Sequence, residues 1–257
     1  MDARHSAVAA DDNSGFCRVT TGNAVRILFT NPLCALITAN ADGTHNGMTV
    51  SWLTPSDNHA TFLMALNKFR HTRANLTRDA HFSLSVAVEG METMLLALAS
   101  ESGKDETASG GKLARLGFAL VTTASDDEQR PKLRARVDAA WVAARSLPSL
   151  AASPARLLCR VRSELTAGAA SVGATPALGQ SLLLCEILEA WVRTDHWVQN
   201  KLFVTPRGAP RLLCFQGSGV FAAIETRTLP PLEISSLQVS TIEKKSTVDG
   251  DDHGAHS

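Results

Sequence analysis

The chain of 257 residues contains no tyrosine, and aromatic residues make up only 5% of it. No apolar run reaches the eighteen residues that a membrane-spanning helix needs, so we expect no membrane span. Lys and Arg total 25 and Asp and Glu total 25, so the formal net charge is zero. Because a neutral chain creates no long-range field, we expect neither nucleic acid nor a membrane surface as a partner.

Motifs for metals and dinucleotides are missing as well. The five cysteines form no C-x-x-C pair, and none stands beside a histidine at metal-ligand spacing. No G-x-G-x-x-G follows a predicted strand, so a Rossmann dinucleotide site is not expected. Four cysteines lie inside apolar runs, which favours buried thiols in a reducing compartment. They are Cys34, Cys159, Cys185 and Cys214.

What is present is typical of a globular protein, with 44% hydrophobic and 19% charged residues. We expect loose tails at residues 1–15 and 243–257 and a single domain over residues 16–230. Within that domain, residues 122–154 read as an insertion and residues 166–179 as a flexible small-residue linker. The N-terminal segment carries acids and no apolar run of signal length, so we expect a cytoplasmic protein.

The apolar segments are mostly short and bounded by turn-forming residues, which predicts strands. The predicted strands are residues 33–39, 47–55, 60–67, 82–88, 155–165, 181–195 and 211–225. A helix is expected after Thr72, and residues 90–100 carry the apolar spacing of another. This order of elements predicts an α+β domain, mainly β, built on an antiparallel barrel or curved sheet.

One strand, "GMTVSWLTP" at residues 47–55, alternates in character. Successive side chains of a strand point to opposite faces, so one face is small and hydroxyl-bearing and the other is apolar. The small face holds Gly47, Thr49 and Ser51, and the apolar face holds Met48, Val50 and Trp52. Small side chains let a flat heterocycle approach the backbone closely, although a solvated Thr/Ser face is an equally open interpretation.

A basic corner, "NKFRHT" at residues 67–72, follows a predicted strand and precedes a predicted helix. Lys68, Arg70 and His71 gather positive charge there, and Thr72 is expected to cap the helix. Free amides, the positive end of the helix dipole and an arginine suit a phosphate. A solvated surface turn is the alternative. Among the other histidines, His45 is expected at the surface. His196 is expected there too, with contact to a nicotinamide or a flavin from a late loop as the alternative.

Together the segments "NPLCALITANADGTHNGMTVSWLTP" and "FLMALNKFRHT" resemble the flavin reductase-like group of FMN-binding split-barrel proteins. The segment "ESGKDETASGGKLARLGF" is similar to a later S-G…K motif of that group. The resemblance implies a Greek-key antiparallel split barrel with a few peripheral helices. It further implies a homodimer that holds FMN near the subunit interface and takes hydride from NADH or NADPH. Reduced flavin or electrons would pass to a downstream acceptor.

The resemblance also assigns a set of FMN-binding residues. They are Thr49, Val50, Ser51, Trp52, Asn67, Lys68, Arg70, His71 and Thr72. No catalytic side chain and no metal are expected, because the flavin carries the reactivity and the protein orients it. The chain departs from the group where "SDNHA" replaces a D-P-P turn, and where any tyrosine near the flavin ring is absent.

Two other functions remain open on the same barrel. One is a non-catalytic carrier or sensor of flavin or haem. The other is an enzyme similar to pyridoxamine-phosphate oxidase, although the string G-M-T-V-S-W fits the reductase group better.

Overall fold

The computed structural model describes residues 15–103, 111–122, 146–165, 179–199 and 202–225. They belong to one of two compact units of the chain, Met1–Thr226, and the other unit, Arg227–Ser257, lies outside the described residues. Residues 1–14 of the predicted N-terminal tail, the predicted C-terminal tail, residues 123–145 of the predicted insertion and residues 166–178 of the predicted linker also lie outside them.

Strands dominate the described residues, and the helices are short. The strands are β1 Phe16–Val19, β2 Cys34–Ala39, β3 His45–Val50, β4 Leu53–Pro55, β5 Thr61–Asn67, β6 His81–Val86, β7 Leu120–Thr122, β8 Pro148–Leu150, β9 Ala155–Leu165, β10 Gln180–Arg193, β11 Trp197–Val198, β12 Leu202–Phe203, β13 Leu212–Gly217 and β14 Val220–Ile224. The helices are α1 Thr21–Ala24, α2 His71–Arg78, α3 Glu92–Ser100 and α4 Gly111–Arg115, with 3-10 turns at Val25–Leu28 and Thr194–His196.

The main sheet is antiparallel throughout, in the strand order β3-β2-β6-β9-β10-β5-β4, and β1 pairs with β10. The two ends of this order, β3 and β4, are separated in sequence only by Ser51 and Trp52. Consecutive Cα atoms are about 3.8 Å apart, so the ends of the sheet meet within about 11 Å. The sheet must therefore curl on itself, and the predicted split barrel of mainly antiparallel strands with a few peripheral helices is confirmed.

The interior of the barrel follows the alternation of its strands. On β5, Phe62, Met64 and Leu66 are buried while the residues between them are partly exposed. β2 and β6 are buried on both faces because chain packs on either side of them. Three of the four cysteines in apolar runs are buried as predicted, whereas Cys214 is partly exposed.

Glycine at position 47 lets two helices pack on β3. A Cβ built there would lie 2.7 Å from Leu113 Cδ2 and 3.0 Å from Leu98 Cδ1. Leu98 ends the buried face of α3, and Leu113 belongs to α4. Two leucine side chains thus occupy the space that a side chain at position 47 would take. The expectation that glycine is needed here for the close approach of a flat ligand is therefore wrong.

Several other expectations need correction. The predicted strand 47–55 is broken at Ser51 and Trp52, and Trp52 is 64% exposed because the chain leaves one edge of the sheet there to join the other. The predicted closing strand 211–225 is a separate hairpin, β13–β14, outside the main sheet. His45 is half-buried and burial lowers its pKa. His196 is buried and bonds Asp195 through Nδ1 at 2.7 Å.

The chain enters the predicted insertion from β7 and returns from it through β8, and these two strands pair with each other. β7 and β8 are antiparallel, with Leu120 opposite Leu150 and Thr122 opposite Pro148. Its two ends are therefore neighbours, so the segment between them can vary in length without disturbing the barrel. No helix within the described residues is long and apolar enough to cross a membrane.

Candidate functional site

A cleft of about 160 Å³ lies between β3, the start of α2 and the end of α3. We call it the α2 cleft. Residues 46–49 of β3 form one side of it and residues 69–72 form another. Residues 98–99 and 101–103, together with Lys112, complete the lining.

Four of the nine predicted FMN-binding residues line the α2 cleft: Thr49, Arg70, His71 and Thr72. Two others, Ser51 and Trp52, line a separate groove of about 380 Å³, which we call the Trp52 groove. The remaining three line neither.

Those three residues have other surroundings. The side chain of Val50 is buried in the hydrophobic core. Asn67 Oδ1 accepts a hydrogen bond from the backbone N–H of Phe69 at 2.9 Å, so this side chain shapes the turn before α2. Lys68 is exposed, and its backbone N–H donates to the carbonyl of Gly179 at 2.6 Å.

Helix α2 begins two residues earlier than predicted. Its N-cap is Arg70, whose extended backbone precedes the helix, so Thr72 lies within the first turn and does not cap it. The N–H groups of Arg73 and Ala74 donate to the carbonyl of Arg70. The amides of His71 and Thr72 come before these bonds, and such amides at a helix start favour an anion.

The side chain of Thr72 is held in place by a hydrogen bond from β3. Asn46 Nδ2 donates to Thr72 Oγ1 at 2.8 Å, and both side chains are buried. The other amide atom, Asn46 Oδ1, is buried with no hydrogen-bond partner among the described residues. A buried acceptor without a donor is costly, and this oxygen is covered by Gly103 at the edge of the cleft.

The two arginines at the start of α2 have different roles. Arg73 bonds Ser181 Oγ at 3.1 Å and Glu164 Oε2 at 2.6 Å, which fastens α2 to β9 and β10. Arg70 is exposed, lines the cleft and forms no ion pair with a described residue. Of these two guanidinium groups, it is therefore Arg70 that can form paired hydrogen bonds with an incoming anion.

The protein-family model of the flavin reductase like domain matches residues 29–213, which is most of the chain. The chain belongs to the flavin reductase-like family. The predicted family resemblance is thereby confirmed. No curated protein matches the chain in sequence.

Solved structures of flavin reductase-like split barrels share this fold. An FMN-binding domain of a flavin reductases-like enzyme from Shewanella baltica OS155 is 20% identical, with a TM-score of 0.60 over 86% of this chain and 100% of that one. Flavoredoxin of Desulfovibrio vulgaris (Miyazaki F) is 14% identical, with a TM-score of 0.56 over 79% and 92%. An FMN-binding protein from Thermus thermophilus with bound 1-cyclohex-2-enone is 14% identical, with a TM-score of 0.54 over 90% and 100%.

Lys112 is a cleft residue of this flavin reductase-like chain to which sequence reasoning assigned no role. Its side chain is 2% exposed, and Nζ donates to the carbonyls of Gly47 at 3.1 Å, Leu98 at 2.6 Å and Glu101 at 2.7 Å. A cation at a helix C-terminus satisfies carbonyls that the helix leaves unpaired. Lys112 therefore ties β3 to the end of α3 and fixes the width of the cleft.

Asn46 and Gly103 were also missed as cleft residues. A Cβ at Gly103 would lie 2.4 Å from Asn46 Oδ1 and 3.0 Å from His71 Cδ2, so only glycine fits there. The S-G…K motif of the flavin reductase-like resemblance contains both Gly103 and Lys112 and was the available signal. No cluster of side chains suited to a metal ion occurs among the described residues.

Proposed function

We propose that this chain is an FMN-binding, NAD(P)H-dependent flavin reductase whose FMN phosphate binds in the α2 cleft. The observation that carries the proposal is the convergence of Arg70 with the first amides of α2 on one cleft, in a chain of the flavin reductase-like family. Family membership also supports a flavin reductase rather than an enzyme similar to pyridoxamine-phosphate oxidase.

The cleft residues fit a phosphate monoester. Arg70 supplies a charged, forked donor, and the N–H groups of His71 and Thr72 lie at the positive end of the helix dipole. Glu101, the carboxylate in the lining, is paired with Arg115 at 2.5 Å, which offsets its repulsion of an anion. The net local charge therefore favours a bound phosphate.

The size of the cleft limits what it holds. Sites for whole cofactors usually enclose about 300–1,000 Å³, and the α2 cleft has about 160 Å³. We place the phosphate end there and the flat ring beyond it, along residues 49–52. In this arrangement Val50 contributes backbone groups only, since its side chain is in the core.

FMN, when bound, supplies the group that accepts a hydride from a nicotinamide. The chain itself binds and orients: Arg70 holds the phosphate, Thr72 is fixed by Asn46, and Lys112 keeps β3 and α3 at a set distance. We assign no side chain to proton transfer, because hydride transfer to a flavin needs little acid–base assistance.

We also propose that the protein acts as a homodimer. Trp52 is 64% exposed beside the Trp52 groove, whose lining includes Leu53, Leu63 and the 41% exposed Leu182. An exposed tryptophan next to an apolar groove favours burial against another protein surface. A second copy placed here would cover residues 51–52, which the family resemblance assigns to FMN.

We further propose that the reduced flavin, or its electrons, pass to a downstream acceptor.

The deciding experiment combines flavin binding with anaerobic turnover. Purified protein is titrated with FMN and riboflavin by fluorescence quenching, and the FMN complex is mixed with NADH or NADPH without oxygen. The proposal expects FMN to bind more tightly than riboflavin. It also expects the visible absorbance of the oxidised flavin to bleach as the nicotinamide is oxidised. Bound FMN without bleaching would favour the carrier or sensor. Failure to bind either flavin at micromolar concentration would overturn both.

A further inference from the structure

The ring of His71 is held by a residue outside the α2 cleft. His71 Nε2 lies 3.0 Å from Asn40 Oδ1, and Asn40, which is 8% exposed, does not line the cleft. The Cδ2 edge of the ring faces Gly103, where a Cβ would come within 3.0 Å. Asn40 and Gly103 thus set both the position and the plane of the imidazole.

The orientation of the Asn40 amide is determined from one side by Arg78. Arginine can only donate hydrogen bonds, so the contact of Arg78 Nη1 with Asn75 Oδ1 at 3.2 Å identifies that atom as the oxygen. The amide nitrogen of Asn75 then donates to Asn40 at 2.8 Å and to Thr38 Oγ1 at 3.0 Å. The atom of Asn40 that faces Asn75 must therefore be its oxygen.

Asp42 determines the same orientation from the other side. The ionised carboxylate only accepts, so Thr44 donates its hydroxyl proton to Asp42 Oδ1 at 2.7 Å, and this bond lowers the pKa of Asp42. Thr44 Oγ1 is then an acceptor for Asn40 Nδ2 at 3.0 Å. If the Asn40 amide were flipped, its NH2 group would face the NH2 group of Asn75. Its oxygen would then face the Thr44 hydroxyl, whose proton is already donated to Asp42.

These constraints assign the proton of the histidine. Asn40 Oδ1 accepts, so His71 must donate from Nε2, and the hydrogen-bond network selects the Nε2–H tautomer. We propose that Asn40 is a positioning residue that holds the His71 proton on Nε2 and so leaves Nδ1 to accept a hydroxyl hydrogen bond from the ligand. The second part of this inference, the hydrogen bond from the ligand to Nδ1, rests on the proposed function, and we call it the ligand half. A ribityl or phosphate hydroxyl of FMN could donate this hydrogen bond.

The tautomer is tested on the protein without flavin. Long-range ¹H–¹⁵N spectra distinguish protonated from unprotonated ring nitrogens, and the His71 signals are identified by their loss in His71→Gln. The expected spectrum has protonated Nε2 and unprotonated Nδ1. Asn40→Leu should shift the ring to a mixture of tautomers, and Asn40→Asp, which keeps the acceptor, should retain the Nε2 proton.

Thr38→Val is the matched control, because it removes a hydrogen bond from the same network without touching His71. It should leave the tautomer unchanged. A wild-type ring protonated on Nδ1, or an unchanged ring in Asn40→Leu, would overturn the assignment. If Asn40→Leu does not fold, the wild-type and Asn40→Asp spectra still decide it.

Flavin titrations then test the ligand half. Asn40→Leu should weaken FMN binding about tenfold, near the net worth of one hydrogen bond, while Thr38→Val should weaken it far less. Equal affinities in Asn40→Leu and wild type would overturn the positioning role. If the wild-type protein binds no FMN, the ligand half fails with the proposed function, whereas the tautomer stands or falls on the spectra alone.

Discussion

The side chains of Asn46 and Thr72 are joined by a buried hydrogen bond of 2.8 Å that connects β3 to the first turn of α2. Asn46 directly precedes the alternating segment 47–55 in β3, and Thr72 belongs to the basic corner. Residues 47–49 of that segment line the same cleft as Arg70, His71 and Thr72, so the two segments that sequence reasoning expected to cooperate do meet in the fold. The bond between them is made by Asn46, to which sequence reasoning assigned no role, and Thr72 accepts this bond and does not cap the helix.

Arg70→Ala should weaken FMN binding by about 1.5–3 kcal/mol, the range of hydrogen bonds to charged groups, and leave riboflavin affinity unchanged. Fluorescence titration with both flavins measures this. Arg207→Ala, which removes an exposed arginine from a different groove, is the charge-matched control and should leave both affinities unchanged. Equal losses for FMN and riboflavin in Arg70→Ala would remove Arg70 from the phosphate site.

Lys68→Ala should weaken FMN binding less than Arg70→Ala does, because Lys68 does not line the cleft.

Gly47→Ala should lower the free energy of unfolding by about 1–3 kcal/mol, the usual cost of overpacking a core. The new methyl would come within 2.7 Å of Leu113 and 3.0 Å of Leu98, so α3 and α4 would have to move off β3. Urea denaturation gives the change. Gly22→Ala is the control, since a Cβ there meets nothing within 4 Å. If the two variants were equally stable, close packing at Gly47 would be refuted.

Lys112→Met should lower the free energy of unfolding by about 2–5 kcal/mol, because three carbonyls lose a charged donor within the fold. Arg115→Met on the same helix is the control. Its ion pair with the partly buried Glu101 should be worth about 1 kcal/mol. Both are compared by urea denaturation. A loss for Lys112→Met no larger than that for Arg115→Met would mean that the lysine does not hold β3 and α3 together.

Stability should fall as the pH rises above about 8.5, the ordinary pKa of a cysteine thiol. Burial raises the pKa values of Cys34, Cys159 and Cys185, so the folded state keeps protons that the unfolded state releases. When the unfolded state binds fewer protons, the free energy of unfolding decreases with pH, by at most about 1.4 kcal/mol per thiol and pH unit.

Urea midpoints at pH 7.5 and 9.5 measure this slope (both values chosen to bracket the thiol pKa). Cys185→Ala should reduce the slope, because it removes one of the three buried thiols whose pKa values are raised. A slope that is the same in wild type and Cys185→Ala would contradict the assignment to buried thiols.

Local pattern was enough for much of the barrel. The short apolar run at residues 60–67, bounded by polar residues, predicted β5, and the helical spacing of Met91, Leu95 and Leu98 predicted α3. Both patterns depend only on residues that are neighbours along the chain. Pattern could not place Trp52, because its exposure results from where the sheet ends.

The sequence by itself determined most strands of the main sheet, the family and the kinds of side chain at the basic corner, since each of these is encoded within a short stretch of chain. Only the tertiary structure decided that Gly47 accommodates Leu98 and Leu113, that Lys112 ties β3 to α3, and that Asn40 sets the ring of His71. Each of these contacts joins residues that are distant along the chain. Their geometry exists only once the sheet has curled and the helices have packed on it.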